Sequence, residues 1–283
     1  MAAASHLIHH EARKVDLGAG QNLLFCCDCL DLLAKLNDGS VDLVYIDPPF
    51  CTQGHRRRGL DQAYLDQWPG GLDSYLEFLN PRLEQMRRVL KPTGTIFVHL
   101  DYRAVHYVKL ALDKLFGYEH FLNEIIWSYR TGGVSKRWFS RKHQTILAYA
   151  KDSKRHKFHV QRNGQFRTDG LNYDEQGRPY KSTRRGRLYF DRRGPILTDV
   201  WEIPFLSTVG RERAGYPDQK PIKLLERIIT SCTDPDDRVA DFFVGSGTTV
   251  LAANRLGRRW LGCDINLNAI KLADRRAKAE SVP

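Results

Sequence analysis

Asp47-Pro48-Pro49-Phe50 follows directly on the apolar run Val41 to Ile46. Two successive prolines fix the backbone and remove two N–H donors, so the carbonyls around them are left as acceptors beside the Asp47 carboxylate at a strand's C-terminal end. Acceptors and the face of Phe50 are thereby gathered at one point. The exocyclic amino nitrogen of a nucleobase is a poor nucleophile, because its lone pair is delocalised into the ring. A carboxylate and a carbonyl accepting its two hydrogens would pull it toward sp³ and make attack on a methyl donor feasible. Phe50 would then stack on a base turned out of its duplex, the way an enzyme reaches such an atom. The tetrapeptide alone equally suits a rigid turn with a capping aspartate.

A second constellation is Asp241-Phe-Phe243-Val-Gly245-Ser246-Gly247-Thr248-Thr249, again a strand, a glycine turn and the start of a helix. Glycines let the backbone approach a ligand, and the helix N-terminus offers free N–H groups. A bare G-x-G is weak evidence, and this is not the G-x-G-x-x-G dinucleotide fingerprint. The next strand, however, ends at Gly262-Cys-Asp264, which places an acid where a nucleotide-type fold binds ribose hydroxyls.

The elements that must carry these residues are visible as alternation. Asn22 to Cys27, Val41 to Ile46 and Gly94 to Leu100 are short apolar runs of the kind buried on both faces of a parallel sheet. Helical patterns lie between them over 30–36 and 72–90, the second stopped by Lys91-Pro92-Thr-Gly94. A helix over 102–116, strands over 124–129 and 145–150, a helix over 220–232, a strand over 238–243, a helix over 248–256, a strand over 260–264 and a last helix over 268–280 continue the theme. This predicts an α/β fold, a Rossmann-like sheet interrupted by a polar insert. The insert holds 15 Lys/Arg against 8 Asp/Glu over 151–215, seven of the chain's eleven net positive charges. The boundaries so read are a catalytic half over 1–150, an insert over 151–213 and a cofactor-binding half over 214–283.

With both motifs in place, the chain resembles the β-group DNA amino-methyltransferases, which use S-adenosylmethionine to modify N6 of adenine or N4 of cytosine. The order of motifs carries the resemblance: Asp47-Pro-Pro-Phe50 precedes Phe243-Val-Gly-Ser-Gly247 by about 195 residues, whereas RNA guanine and protein glutamine methyltransferases with a similar tetrapeptide place the cofactor motif first. Tyr216-Pro-Asp-Gln-Lys-Pro221 is similar to the family's Y-P-T-Q-K-P, and Asp199-Val-Trp-Glu-Ile-Pro204 lies just upstream. Asp218 replaces the usual threonine and Phe242 a common proline, neither of which removes a group that the chemistry needs. The resemblance implies that Asp47 and the Pro48 carbonyl hold the target amino group, with Pro49 rigidifying the turn and Phe50 on the base. It further implies a cofactor site of Asp241, Phe243, Gly245, Ser246, Gly247 and Thr248, with Lys220 on the methionine carboxylate, Asp264 on the ribose and Asp28 near the adenine. As partners it implies double-stranded DNA, and it leaves room for a homodimer and a cognate restriction endonuclease.

Phosphate contacts are expected from Arg56, Arg57 and Arg58 behind the catalytic turn. In the insert they are expected from Arg184, Arg185, Arg187, Arg192 and Arg193, which interleave with aromatics in the family's target-recognition region. Trp127, Trp138 and Trp201 are read as core or interface residues. A net charge of +11 fits a polyanion partner. No segment approaches the ~18 apolar residues of a membrane span, Met1 to Lys14 has no secretory apolar run, and the six cysteines read as reduced thiols without a zinc framework. A cytoplasmic, nucleoid-associated protein without a metal is the expectation. Cytosine-C5 chemistry needs a Pro-Cys pair, which the chain lacks. An RNA base methyltransferase and a catalytically idle DNA-binding protein on the same scaffold remain the alternatives. For the target base, Asp before Pro-Pro leans toward adenine, while an insert rich in arginine, the reader of guanine O6 and N7, leans toward a G·C-rich site. The balance of the two is a lean to N4 of cytosine.

Overall fold

The computed structural model describes residues 7–9, 22–52, 54–55, 65–130, 134–164, 169–207, 210 and 212–280. In chain order the elements are β1 (Leu7–His9), β2 (Leu23–Cys26), α1 (Cys29–Leu33), β3 (Val41–Ile46), β4 (Gly54–His55), β5 (Leu65–Asp66), α2 (Gly71–Val89), β6 (Leu90–Leu100), α3 (Val105–Phe116), β7 (Phe121–Ser128) and β8 (His143–Ala150). Then follow β9 (Asn172–Tyr173), β10 (Pro179–Thr183), β11 (Gly186–Tyr189), β12 (Val200–Glu202), α4 (Ile222–Cys232), β13 (Arg238–Asp241), α5 (Thr248–Arg255), β14 (Arg259–Asp264) and α6 (Leu267–Glu280).

Nine strands form one sheet in the order β1-β2-β14-β13-β3-β6-β8-β7-β12, with β8 antiparallel to both of its neighbours and the other pairs parallel. This is the α/β class expected from the alternation of apolar runs. All six residues of β3 are buried, because helices cover both faces. The two-residue period divides them: Val44 and Ile46 pack with Leu79, Leu83 and Met86 of α2, while Leu43 and Tyr45 pack with Leu224 and Ile228 of α4 and Val250 of α5. β6 begins at Leu90, immediately after α2, so Pro92 and Gly94 lie inside the strand and not in the expected turn before it.

Strand order is what matters for chemistry. β13 sits between β14 and β3, so their C-terminal ends bring Asp241, Asp264 and Asp47 to one edge although the chain separates them widely. The insert is rooted on the opposite edge. On its way in, Lys157 donates its N–H to the Thr93 carbonyl and its ammonium to Asp237, and His159 donates to the Ser231 carbonyl at the end of α4. On its way out, the Leu197 N–H returns to Gln161. Between these points β9, β10 and β11 make a separate three-stranded antiparallel sheet. The insert's last strand, β12, joins the main sheet beside β7.

Candidate active site

A cavity of about 570 Å³ opens at the C-terminal ends of β3, β13 and β14. Asp47, Pro49, Lys220, Asp241, Phe243, Gly245, Ser246, Thr248 and Asp264 all line it, so residues from both ends of the chain face one space. Its size lies within the range of small-molecule and cofactor sites. Trp68, Phe78, Tyr216, Ile265 and Leu267 supply apolar wall; Trp68, from the segment between β5 and α2, had no signal in the sequence beyond its type.

The glycine turn is built by close approach. At Gly247 the backbone is left-handed (φ 80°), and a Cβ there would stand 2.6 Å from that of Ala273 on α6. Only glycine satisfies both constraints. Gly245 (φ 50°) donates its N–H to the Asp264 carboxylate at 2.9 Å, and Asn266 donates to the other oxygen at 2.9 Å. Asp264 thus holds the turn while presenting itself to the cavity. Burial pushes its carboxyl above the ordinary carboxylate range, against the pull of those two N–H groups. Asp241, wholly buried at the end of β13, is pushed up further, to about 7, by desolvation and by the neighbouring charges of Asp47 and Asp264, despite hydrogen bonds from Thr249 and the Phe243 N–H.

Lys220 answers this negative cluster. Its ammonium lies 2.6 Å from Asp47, 3.3 Å from the Asp218 carbonyl and 5.0 Å from the centre of the Phe50 ring, and the side chain is only 5% exposed. Its protein partner is therefore the catalytic-motif aspartate, because a buried ammonium requires a carboxylate. Phe50 is itself buried, packed on the His99 ring at 6.0 Å, and lies behind the cavity wall, as do Pro48 and Gly247. His99 hydrogen-bonds Tyr45 at 2.7 Å, and burial holds its imidazole well below its ordinary pKa, hence neutral.

The turn after the tetrapeptide is pinned by a residue that sequence reasoning missed. Cys51 adopts φ 56°, a strained backbone for a residue with a Cβ. Immediately beyond, Thr52 donates both its N–H (2.9 Å) and its hydroxyl (2.6 Å) to Asp66, which also accepts from the Trp68 indole at 2.8 Å. Asp66 is fully buried. An aspartate distant in sequence, in a polar stretch, carries no local pattern that would mark it.

Other expected residues lie elsewhere. Asp28 caps α1, accepting from the Leu30 N–H at 2.8 Å, and pairs with Arg82 at 2.6 Å; it is not in the cavity wall. Arg56, Arg57 and Arg58 fall outside the described residues. In the insert, Arg184 and Arg185 stand exposed at the β10–β11 turn, and Arg187 lies over the Tyr180 ring at 4.7 Å. Arg192 donates to the Gly177 carbonyl and Arg193 pairs with Asp191. Arg162 and Arg178 are likewise engaged, with Asp191 and Asp174. Trp127 and Trp201 are buried, as expected, and Trp127 donates to the Ile203 carbonyl. Trp138 is exposed on the loop between β7 and β8 and so is no core residue, which leaves the interface half of the expectation.

Comparison with known proteins agrees with this geometry. A model of the N6/N4 methyltransferase type, described as DNA methylase, matches residues 41–275. Type II methyltransferase M.HpaI of Haemophilus parainfluenzae is 32% identical over 257 residues, covering 91% of this chain and 74% of that one. DNA adenine methyltransferase YhdJ of Escherichia coli K12 is 29% identical over 262 residues, 90% and 82% respectively. Among solved structures, the cytosine-N4-specific PvuII DNA methyltransferase superposes with a TM-score of 0.62 at 20% identity, covering 89% of this chain and 85% of that one. The M1.HpyAVI–SAM complex gives 0.57 at 20%, covering 89% and 97%. At these identities the superpositions speak to fold.

Proposed function

The chain belongs to the DNA methylase family of N6/N4 methyltransferases, and from that premise we propose that it moves a methyl group from S-adenosylmethionine to N6 of adenine in duplex DNA. One observation carries the reading: Asp47 shares a single cavity with Asp264 and the glycine turn. A group that can hold an amino nitrogen and a site that can hold a nucleoside thus face each other.

The residues present fit the cofactor. Asp47, Asp218, Asp241 and Asp264 line the cavity with one cation, Lys220, and S-adenosylmethionine carries a sulfonium, an ammonium and one carboxylate. A carboxylate-rich wall suits the two positive centres, and Lys220 is the cation available to the carboxylate while it remains beside Asp47. Asp264 would take the ribose hydroxyls, with its carboxylate already oriented by Gly245 and Asn266. Phe243, Ser246 and Thr248 would close the wall around the remainder. When bound, the cofactor supplies an electrophilic methyl group.

The chain's own residues then act on the base. The Asp47 carboxylate and the Pro48 carbonyl accept the hydrogens of the amino group, which localises the nitrogen lone pair, and the carboxylate is placed to take the proton that the nitrogen must lose. Phe50 lies behind the cavity wall, against His99 and close to Lys220, so a flipped base stacks on it once its ring is uncovered. An idle scaffold would have no use for a carboxylate beside a polyanion.

For the base, the balance moves from cytosine to adenine. Half of the eight arginines that favoured a guanine-reading insert are tied to their own chain: Arg162, Arg178, Arg192 and Arg193 each have a carboxylate or carbonyl partner, while Arg184, Arg185 and Arg187 stand exposed. Against the weakened arginine argument stand the aspartate of the tetrapeptide, commoner in the resembled adenine enzymes, and a relative named for adenine. Nucleoside mass spectrometry of duplex DNA incubated with the protein and S-adenosylmethionine should show N6-methyladenine. N4-methylcytosine alone would return the target to cytosine, and no methylated nucleoside at all would sink the reading. Asp47→Asn, which keeps the shape beside Lys220, should slow transfer at least ~100-fold with cofactor affinity retained.

A further inference from the structure

We propose that residues 134–142, the described C-terminal part of the loop joining β7 to β8, enter duplex DNA beside the target base, with Trp138 and Phe139 stacking on exposed base faces and the neighbouring basic residues on the flanking phosphates. The inference rests on the DNA methylase reading, and it names the element of this chain that would grip the opened duplex.

Position is the first argument. β6 runs parallel to β3, with Ile46 opposite Val98. β8 pairs antiparallel with β6, and β7 antiparallel with β8 up to Ser128 opposite His143. The loop therefore springs from the same sheet edge as Asp47, two strands beyond β3. The basic insert, by contrast, leaves and rejoins the body at the other edge, and its Arg162, Arg178, Arg192 and Arg193 are bonded within the insert.

Composition is the second. Between Tyr129 and Lys142 stand Arg130, Lys136, Arg137, Arg141 and Lys142, and no acidic residue. A protein or membrane core contact has no need of five cations, whereas a phosphate backbone does. On the same loop Phe139 is 98% exposed and Trp138 57%. Apolar rings placed in water beside clustered cations are the combination that binds opened nucleic acid, where bases stack on aromatics and the charges follow the backbone.

The loop is also held open from within. Ser135 Oγ accepts from the N–H groups of Arg137 and Trp138, both at 3.3 Å, and the Ser135 N–H donates to Ser140 Oγ at 3.1 Å. The Tyr129 N–H closes the base on the Lys142 carbonyl at 2.9 Å. The Arg141 guanidinium lies 3.9 Å from the centre of the Tyr102 ring, just past the end of β6, and 5.4 Å from that of Trp138. Arg141 thus braces Trp138 against the sheet edge while Phe139 projects beyond it. Presentation by a fixed turn lowers the ordering cost of binding.

The test uses the full chain and a 30-base-pair duplex carrying the sequence that the wild type methylates, found by single-base sequencing of treated DNA, with 2-aminopurine at the target. If the wild type methylates nothing, the proposed function fails before this inference is reached. Given wild-type activity, the double substitution Trp138→Ala and Phe139→Ala should leave melting temperature and cofactor affinity unchanged. It should weaken duplex binding roughly 10-fold or more and diminish the 2-aminopurine signal, with the salt slope of binding intact because no charge is lost. Lys136→Ala with Arg137→Ala should instead lower that slope by close to one unit for each phosphate contact removed. The proposal is overturned if the aromatic double variant binds and opens DNA within twofold of wild type. It is equally overturned if that variant changes only oligomeric state, or if duplex affinity is lost only on replacing Arg184, Arg185 and Arg187 of the insert.

Discussion

The charge state of Asp241 gives the ligand-free protein a stability that depends on pH up to neutrality. In an unfolded chain an aspartate titrates near 3.9, whereas burial and two neighbouring carboxylates raise Asp241 to about 7 in the fold. Folding therefore favours the protonated form. The stabilisation this gives is complete below the unfolded value and fades as pH rises through 7, where the buried group must ionise. Asp241→Asn keeps an acceptor for the Phe243 N–H and removes the ionisation. Its melting temperature should exceed that of the wild type at pH 8, by roughly 2–4 °C for each kcal/mol of the penalty relieved, and the difference should shrink steadily toward pH 4. Calorimetric scans across that range check it; a gap that stays constant with pH would show that Asp241 does not titrate there. Its identity as the aspartate preceding a glycine turn was legible in the sequence. Its raised pKa was not, because it arises first from complete burial in the fold and then from Asp47 and Asp264, which only the strand order brings near.

At the scale of elements, the alternation of apolar runs and helical patterns was legible because both faces of the sheet are covered, leaving strands with no polar side to confuse the pattern. The short strands β4, β5 and β12 were not, since two or three residues hold no period. That matters for the catalytic turn, whose anchor, Asp66, closes β5 and carries three donors. Asp66 is a positioning residue: it touches no reacting atom, but without it Thr52, next to the strained Cys51, loses the acceptor of both its N–H and its hydroxyl. Asp66→Ala leaves those donors unmet at about 1–3 kcal/mol each and should lower the melting temperature. It should also slow single-turnover transfer at least ~10-fold, because small misplacements of an acceptor cost rate steeply. Asp66→Asn, which retains an acceptor oxygen, should recover part of the rate. A rate that follows stability alone, with no recovery in Asp66→Asn at a temperature where both variants are folded, would make Asp66 a structural anchor without influence on the turn.

For the whole molecule, the consequence of the sheet order is that the two halves of the chain cannot act apart. β13 lies between β14 and β3, and the cavity takes Asp47, Pro49 and Trp68 from the first half and Lys220, Phe243 and Asp264 from the second. Reading the chain as a catalytic half, an insert and a cofactor half describes sequence segments whose strands interleave in space. Ligand in this cavity therefore reports on the fold of both segments at once. S-adenosylmethionine at about 100 times its dissociation constant should add ~2.7 kcal/mol of stability through mass action, which for a chain of this size amounts to a rise of roughly 5 °C or more in melting temperature. Asp264→Ala should forfeit most of that rise, because it removes the cavity carboxylate that the Gly245 and Asn266 N–H groups orient, while Asp47→Asn should keep most of it. A cofactor-induced shift of equal size in wild type and Asp264→Ala would place the ribose outside the β14 end. One larger in Asp264→Ala than in Asp47→Asn would reverse the two ends of the cavity, putting the nucleoside beside the proline turn.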